Sequence, residues 1–380
     1  MNKLLSFGLF FLISVQCTAQ VNEKKTTPKV EFKNHGFKLS DYLTENPNLS
    51  KMVDSIYNSI DDTARVAQLI MPAIGKWGQT EEIINKLVNN RLIGGLLLLN
   101  GTKDQCIDWV STYNSANIKN GALPFLYSAD AEPTLFNKKI SGTTPVKKAN
   151  EQLSIEDVKA ATTIISDELN AIGINYNFAP VLDMSTNTTV GYRGYGKNPA
   201  NISPFSNEFI AVSQSKNIIA TAKHFPGHGL VSGDTHKALQ MINGELKEVK
   251  YYPPSIESGV LSIMIGHLAI KNNAAFNTNG LPATCSPKIV TNLLRDSLNF
   301  KGLIVTDAMN MGGVVNVPNA NVLAIAAGCD IVLMPTNAER AHKEILAKLH
   351  ADAQFRKKVE AASKRVIRAK ICLGLLEDKN

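Results

Sequence analysis

The sequence predicts a single-domain (β/α)8 barrel, on three observations. Eight short apolar runs recur, at 68–74, 93–100, 123–129, 175–183, 218–223, 261–268, 302–306 and 330–334, each the length of a parallel strand buried on both faces. Between them lie stretches whose apolar residues return at helical spacing. Five successive runs end in ionisable residues, where a barrel of this type gathers its functional groups. An open, doubly wound parallel sheet is the alternative architecture.

In chain order, residues 1–19 read as a leader: Lys3, the apolar run Leu4 to Val15, then the small residues Cys17, Thr18 and Ala19. The run is short for a membrane span, and no later segment qualifies, so a soluble, exported protein of the periplasm or the extracellular space is expected. Lipid anchoring through Cys17 is the rival, and Gln16 fits it poorly because such signals favour a small residue there. Residues 20–47 form a polar tail, and 48–380 form the barrel domain.

Helices are expected where Ile83, Ile84, Leu87 and Val88 share a face, and again at Val158, Ile164, Ile165 and Leu169. Ser154 with Asp157 resembles a capping box, and Ser203-Pro204 and Ser286-Pro287 each look like a cap followed by proline at the first helical position. A terminal helix over Phe355 to Leu375, rich in Lys and Arg, ends the domain and leaves no room for a second one.

Composition bounds the function. With 380 residues, 44% of them hydrophobic and 19% charged, the chain buries a large core and is not disordered. The net charge of +7 comes from scattered lysines rather than runs, which argues against nucleic acid as a partner. Beyond the leader, Cys106, Cys285, Cys329 and Cys372 are too irregularly spaced for a disulfide scaffold or a CxxC metal site.

The densest chemistry lies in Lys223-His224-Phe225-Pro226-Gly227-His228-Gly229, followed by Asp234-Thr235-His236. An imidazole titrates near neutral pH and a neighbouring carboxylate orients it, so the Asp-x-His pair marks His236 as a candidate general acid/base with Asp234 as its partner. Asp307 directly follows a buried strand in Gly302-Leu303-Ile304-Val305-Thr306-Asp307, which suits a nucleophile projecting into a pocket, or a carboxylate capping the next turn. Asp130, Asp183 and His267 end other runs, and His267 reads equally as a pocket residue or a satisfied core residue.

These segments, with Gln68-Leu69-Ile70-Met71-Pro72, Ile93-Gly94-Gly95, Asn177 to Asp183, Arg193-Gly194-Tyr195-Gly196 and Ala327-Gly328-Cys329-Asp330, resemble the family 3 glycoside hydrolases, in particular their single-domain β-N-acetylglucosaminidases. The resemblance runs over roughly residues 60–375. It implies a retaining exo-β-N-acetylglucosaminidase with Asp307 as nucleophile, His236 as acid/base and Asp234 as its partner. It implies sugar contacts from Asp130, Arg193, Lys223 and His224, with no cofactor and no metal. Terminal β-linked N-acetylglucosamine on glycans or muropeptides is the implied substrate, and a monomer is expected.

One stretch departs from the family pattern. Asp-Gln-Glu-Gly-Gly-Arg is replaced by Asp130-Ala131-Glu132-Pro133-Thr134-Leu135, with Lys138 or Lys139 standing in for a downstream sugar-binding arginine. Lysine lacks the planar fork of arginine, so the outer edge of the sugar site differs. Three other readings remain: a β-glucosidase of the same family, a glycan-binding protein without activity, and a zinc site built from His224, His228 and His236. His35, His342 and His350 read as surface groups.

Overall fold

The computed structural model describes residues 36–376, so the leader, Cys17 and His35 lie outside the described residues. Each of the eight apolar runs carries a strand. They are β1 (Ile70–Met71 and Ala73–Ile74, on either side of Pro72), β2 (Gly95–Leu98), β3 (Leu126–Ala129), β4 (Tyr176–Asn177), β5 (Ile219–Phe225), β6 (Ser262–Ile265), β7 (Leu303–Thr306) and β8 (Val332–Leu333).

The architecture is an α/β fold of the TIM-barrel type. Strands β1 to β7 make one parallel sheet in which each strand pairs with the next in sequence. The first half of β1 pairs in parallel with β8, Ile70 opposite Val332 and Met71 opposite Leu333. A parallel bridge joins Val305 of β7 to Ile331.

Side-chain alternation divides the core in two. Leu303 and Val305 pack with Met71, Leu97, Leu126, Tyr176, Ile219 and Met264 inside the sheet, whereas Ile304 packs with the surrounding helices. The interior layer is sealed at the strand starts by Leu49, Val53 and Ile56 of one helix (Pro47–Ser59) and by Val366, Ile367 and Ile371 of the terminal helix (Ala353–Cys372). Leu39 and Tyr42, within the segment read as a polar tail, are buried in the same layer. Apolar cover at one end of the strands leaves the other end for polar groups.

Helix starts follow capping chemistry, with one correction. Ser154 Oγ accepts from Asp157 N at 3.2 Å and opens the helix Ile155–Ile172, as expected. The Ser203-Pro204 start is wrong: the helix Pro199–Ser215 begins earlier, with Asn198 as its cap and Pro199 in the first turn. Asn198-Pro199 is the same cap-and-proline signal, and Pro204 is carried inside the helix. Cys106, Cys285, Cys329 and Cys372 are free and buried. Among the described residues, no helix is long and apolar enough to cross a membrane.

Candidate active site

The polar groups at the strand ends form two connected clusters. The first lies at the ends of β3 and β5. Lys223, at 1% side-chain exposure, places Nζ 2.9 Å from Asp130 Oδ1 and 2.6 Å from Glu132 Oε1. Arg193 grips the fully buried Glu132 with two donors, Nε to Oε2 at 2.8 Å and a terminal nitrogen to Oε1 at 2.5 Å. Lys139 completes the cluster, donating to Asp130 Oδ2 at 2.6 Å.

Burial alone would raise both carboxyls, but the cations outweigh it. Lys139 and Lys223 hold Asp130 far below the usual carboxylate range, and Arg193 with Lys223 holds Glu132 at about 2. Three cations against two carboxylates make a charged, hydrogen-bonded cluster, in which charge-assisted bonds are strong.

Two expectations change here. Glu132 carries no assigned role in the sequence reading, yet both Arg193 and Lys223 depend on it. The available signal was proximity alone, an acidic residue two positions beyond the aspartate that follows β3. Lys138 is exposed, and Lys139 takes the position beside Asp130. In the short helix Phe136–Lys139 successive side chains diverge by about 100°, so only one of the two lysines faces inward.

The second cluster surrounds Asp183. His224 Nδ1 lies 2.6 Å from Asp183 Oδ2, and His228 donates its backbone N–H to Oδ1 at 2.8 Å. Burial would raise this carboxyl too, and His224 and His228 hold it down instead. Asp183 therefore orients the imidazole of His224 and ties down the loop that follows it. The ring of His228 turns to Thr235 Oγ1 at 2.9 Å, next to His236.

Asp307 sits just beyond β7, with one carboxylate oxygen accepting from Ala308 N at 2.8 Å. Burial opposes its ionisation, but His224, His267 and that N–H together hold its carboxyl below the usual range. It is thus an anion at neutral pH, as a nucleophile must be. His236 Nδ1 lies 2.7 Å from Asp234 Oδ1, and its side chain is 59% exposed, so Nε2 is the nitrogen left for a ligand. Burial would raise Asp234, but the backbone N–H and ring of His236, with Lys237 beyond, hold its carboxyl below the ordinary range.

Asp307 and the Asp234-His236 pair belong to one unit. Gly312 N donates to His236 O at 2.9 Å, and Gly313 N to Thr235 O at 2.9 Å. The turn that follows Asp307 is therefore stitched to the segment carrying the imidazole.

His267 is a correction. It is fully buried, with Nδ1 at 2.7 Å from Thr284 Oγ1 and Nε2 at 2.9 Å from Ala308 O, so both ring nitrogens are used within the protein. It supports the Asp307 turn rather than lining a sugar pocket. His342, read as a surface group, is also buried, against Thr63 O at 2.9 Å. His224, His228 and His236 turn to Asp183, Thr235 and Asp234 respectively, and no group of three metal-ligating side chains converges among the described residues.

A parallel barrel-type sheet with an ionised aspartate, an imidazole–carboxylate pair and a buried ionic cluster at the strand ends places the protein in the TIM-barrel class of α/β proteins, whose functional groups gather at that end. The chain belongs to glycosyl hydrolase family 3: the model of that family's N-terminal domain matches residues 62–369. It is 28% identical over 320 residues to a protein of Cellulomonas fimi named "Beta-N-acetylglucosaminidase/beta-glucosidase", covering 79% of this chain and 56% of that one. The chain spans about half the length of that protein and of another curated relative, at 56% and 47%.

Among solved structures it resembles a family 3 β-N-acetylglucosaminidase from Paenibacillus sp. str. FPU-7. The TM-score there is 0.74 at 25% identity, covering 84% of this chain and 64% of the other. A β-N-acetylhexosaminidase from Beutenbergia cavernae gives TM-score 0.74 at 27% identity, over 82% of this chain and 98% of that one.

Proposed function

We propose that the protein is a retaining exo-β-N-acetylglucosaminidase that removes terminal β-linked N-acetylglucosamine from cell-wall fragments or other glycans. The observation that carries this reading is the stitching of the Asp307 turn to the His236 segment through Gly312 and Gly313. In the first step the Asp307 carboxylate attacks the anomeric carbon as the glycosidic C–O bond breaks, and His236 Nε2 passes its proton to the leaving oxygen. In the second, His236 takes a proton from water, the water oxygen bonds to the anomeric carbon, and Asp307 leaves.

Several features support the assignment of roles. Asp234 holds His236 Nδ1, which directs Nε2 outward for both proton transfers. The ion-paired Asp130, Arg193 and Lys223, together with His224, suit the binding of hydroxyls and the acetamido group. The β1–β8 pairing and the Val305–Ile331 bridge support closure of the sheet into a complete (β/α)8 barrel. Export of a soluble monomer belongs to the same proposal.

The test is hydrolysis of a chromogenic β-N-acetylglucosaminide by the wild type and by Asp307→Asn and His236→Ala, with mass spectrometry of a trapped glycosyl-enzyme. Turnover that disappears with Asp307→Asn, and an adduct on the peptide containing Asp307, support the reading. Wild-type inactivity across aryl glycosides with retained sugar binding sinks it. The name of the Cellulomonas fimi relative pairs two activities, so β-glucosidase is the second reading, tested by the same assay with the glucoside.

A further inference from the structure

One buried carboxylate is unused by the reaction above. Glu248 is 3% exposed. Its Oε1 accepts from Met184 N at 2.8 Å and Gly229 N at 3.2 Å, and its Oε2 accepts from Leu230 N at 3.2 Å. Asn187, 2% exposed, works beside it: Nδ2 donates to Val231 O at 2.6 Å and Gly233 O at 2.9 Å, and its backbone N–H to Gly229 O at 2.8 Å. The first half of the loop that carries Asp234 and His236 is thus drawn onto the segment after β4.

The loop makes room for this contact. A Cβ on Gly227 would lie 2.4 Å from Glu248 Cβ, and one on Gly229 would lie 2.1 Å from Met184 O. With glycine at 227, 229 and 233 the loop has little stiffness of its own, so its place depends on its anchors. Its far end is held by Gly312 and Gly313, and its near end by Glu248 and Asn187.

We propose that Glu248 is a positioning residue for the acid/base, holding the near end of the loop so that His236 Nε2 meets the leaving oxygen. The proposal rests on the reading of His236 as acid/base. Both Glu248 oxygens face backbone N–H groups, so an amide in its place turns a donor toward one of them, and that anchor is lost. Burial first, and Asp183 second, push the Glu248 carboxyl up, while the three backbone N–H donors favour the ionised form that accepts from all of them. A displacement of about 1 Å in a catalytic group costs roughly 100-fold in rate. That cost falls only on substrates whose leaving group needs protonation.

The experiment compares kcat/KM for two β-N-acetylglucosaminides, one with a 2,4-dinitrophenyl and one with a 4-methoxyphenyl leaving group, on the full chain. Glu248→Gln is expected to lose about 10- to 100-fold on the methoxyphenyl substrate and less than about threefold on the dinitrophenyl one. His236→Ala sets the pattern for comparison. Equal losses on both substrates, or no loss on either, overturn the proposal.

Should Glu248→Gln fail to fold, Asn187→Ala loosens the same half of the loop through separate bonds. The same split is expected of it, and the same outcomes count against the proposal. A wild type that cleaves neither glycoside refutes the assigned reaction and this inference together, whereas an active wild type without the split refutes the inference alone.

Discussion

Gly312 donates its backbone N–H to the carbonyl of His236 at 2.9 Å, joining the turn after Asp307 to the loop bearing the imidazole. The approach is too close for any side chain: a Cβ on Gly312 would lie 2.2 Å from Lys237 O. Gly312→Ala therefore displaces the His236 segment from the Asp307 turn. The expected result is a loss of at least about 100-fold in kcat, larger than the accompanying fall in the thermal midpoint accounts for, because the shifted backbone misaligns two groups. Unaltered kcat would mean that the two segments act independently.

Asp234 accepts from both the backbone N–H and Nδ1 of His236, at 2.9 and 2.7 Å. Asp234→Asn keeps the shape but removes the negative charge beside the His236 ring. A drop of about 10- to 100-fold in kcat is expected, less than the roughly 100- to 10,000-fold contributed by a whole acid/base group because the imidazole itself remains, with KM changed less than about threefold. A rise in KM at constant kcat would mark Asp234 as a substrate contact instead.

Glu132 joins Arg193 and Lys223 in a buried ionic cluster, and it is held at about 2. Its folded-state pKa is below that of the unfolded chain, about 4.3. Its contribution is therefore complete above that value and is lost as pH falls through it toward about 2. Glu132→Gln leaves Arg193 and Lys223 with an uncompensated buried charge, which costs about 3–5 kcal/mol at neutral pH. Its stability should also fall less steeply than that of the wild type between pH 4 and pH 2 or so. Parallel acid-denaturation curves for the two proteins would contradict this account.

Much of this was legible in the sequence, and what was missed has a common cause. Apolar runs report burial on both faces, so β5 and β7 were visible as unbroken stretches ending in Lys223-His224 and Asp307. The loop motif made the His236–Asp234 pair readable because an Asp-x-His spacing lets the carboxylate reach the ring. Direction was not readable. Nothing in the Lys138-Lys139 pair says which side chain turns inward, because that depends on how a four-residue helix lands on the sheet. His267 ends its strand just as Asp130 and Asp183 do, and only the tertiary positions of Thr284 and Ala308 make it a core residue. Glu248 lies outside any recognisable motif, and its partners come from two separate loops.

The reassignment of His267 is testable. With both ring nitrogens bonded inside the protein, His267→Ala removes the ring donor or acceptor facing the Ala308 carbonyl and leaves Thr284 Oγ1 with only its longer bond to Gly266 O at 3.3 Å. Loss of such buried hydrogen bonds costs about 1–3 kcal/mol, so a lower denaturant midpoint is expected, with KM within about twofold. A large rise in KM without destabilisation would return His267 to the sugar pocket.

Lys370 is a buried cation at the strand-start end of the sheet. It is fully buried, donating to Gln68 Oε1 at 2.5 Å and to Gly94 O at 2.8 Å, and burial pushes its ammonium down to about 7. In the unfolded chain a lysine titrates near 10.4, so between about 7 and 10.4 the unfolded state binds the additional proton. Stability then rises with pH across that window, by at most about 1.4 kcal/mol per unit. It is lowest, with respect to this group, at neutral pH and below, where folding must bury a charge. Lys370→Met should remove that slope; at pH 7 it spares the desolvation of an ammonium but leaves Gln68 Oε1 without its donor, so the slope and not the absolute midpoint is diagnostic. Urea titrations at pH 7 and pH 9 on both proteins measure this directly. A wild type whose midpoint falls or stays level over that interval, or a Lys370→Met variant that keeps the wild-type slope, would show that the two carbonyl acceptors already compensate the buried charge.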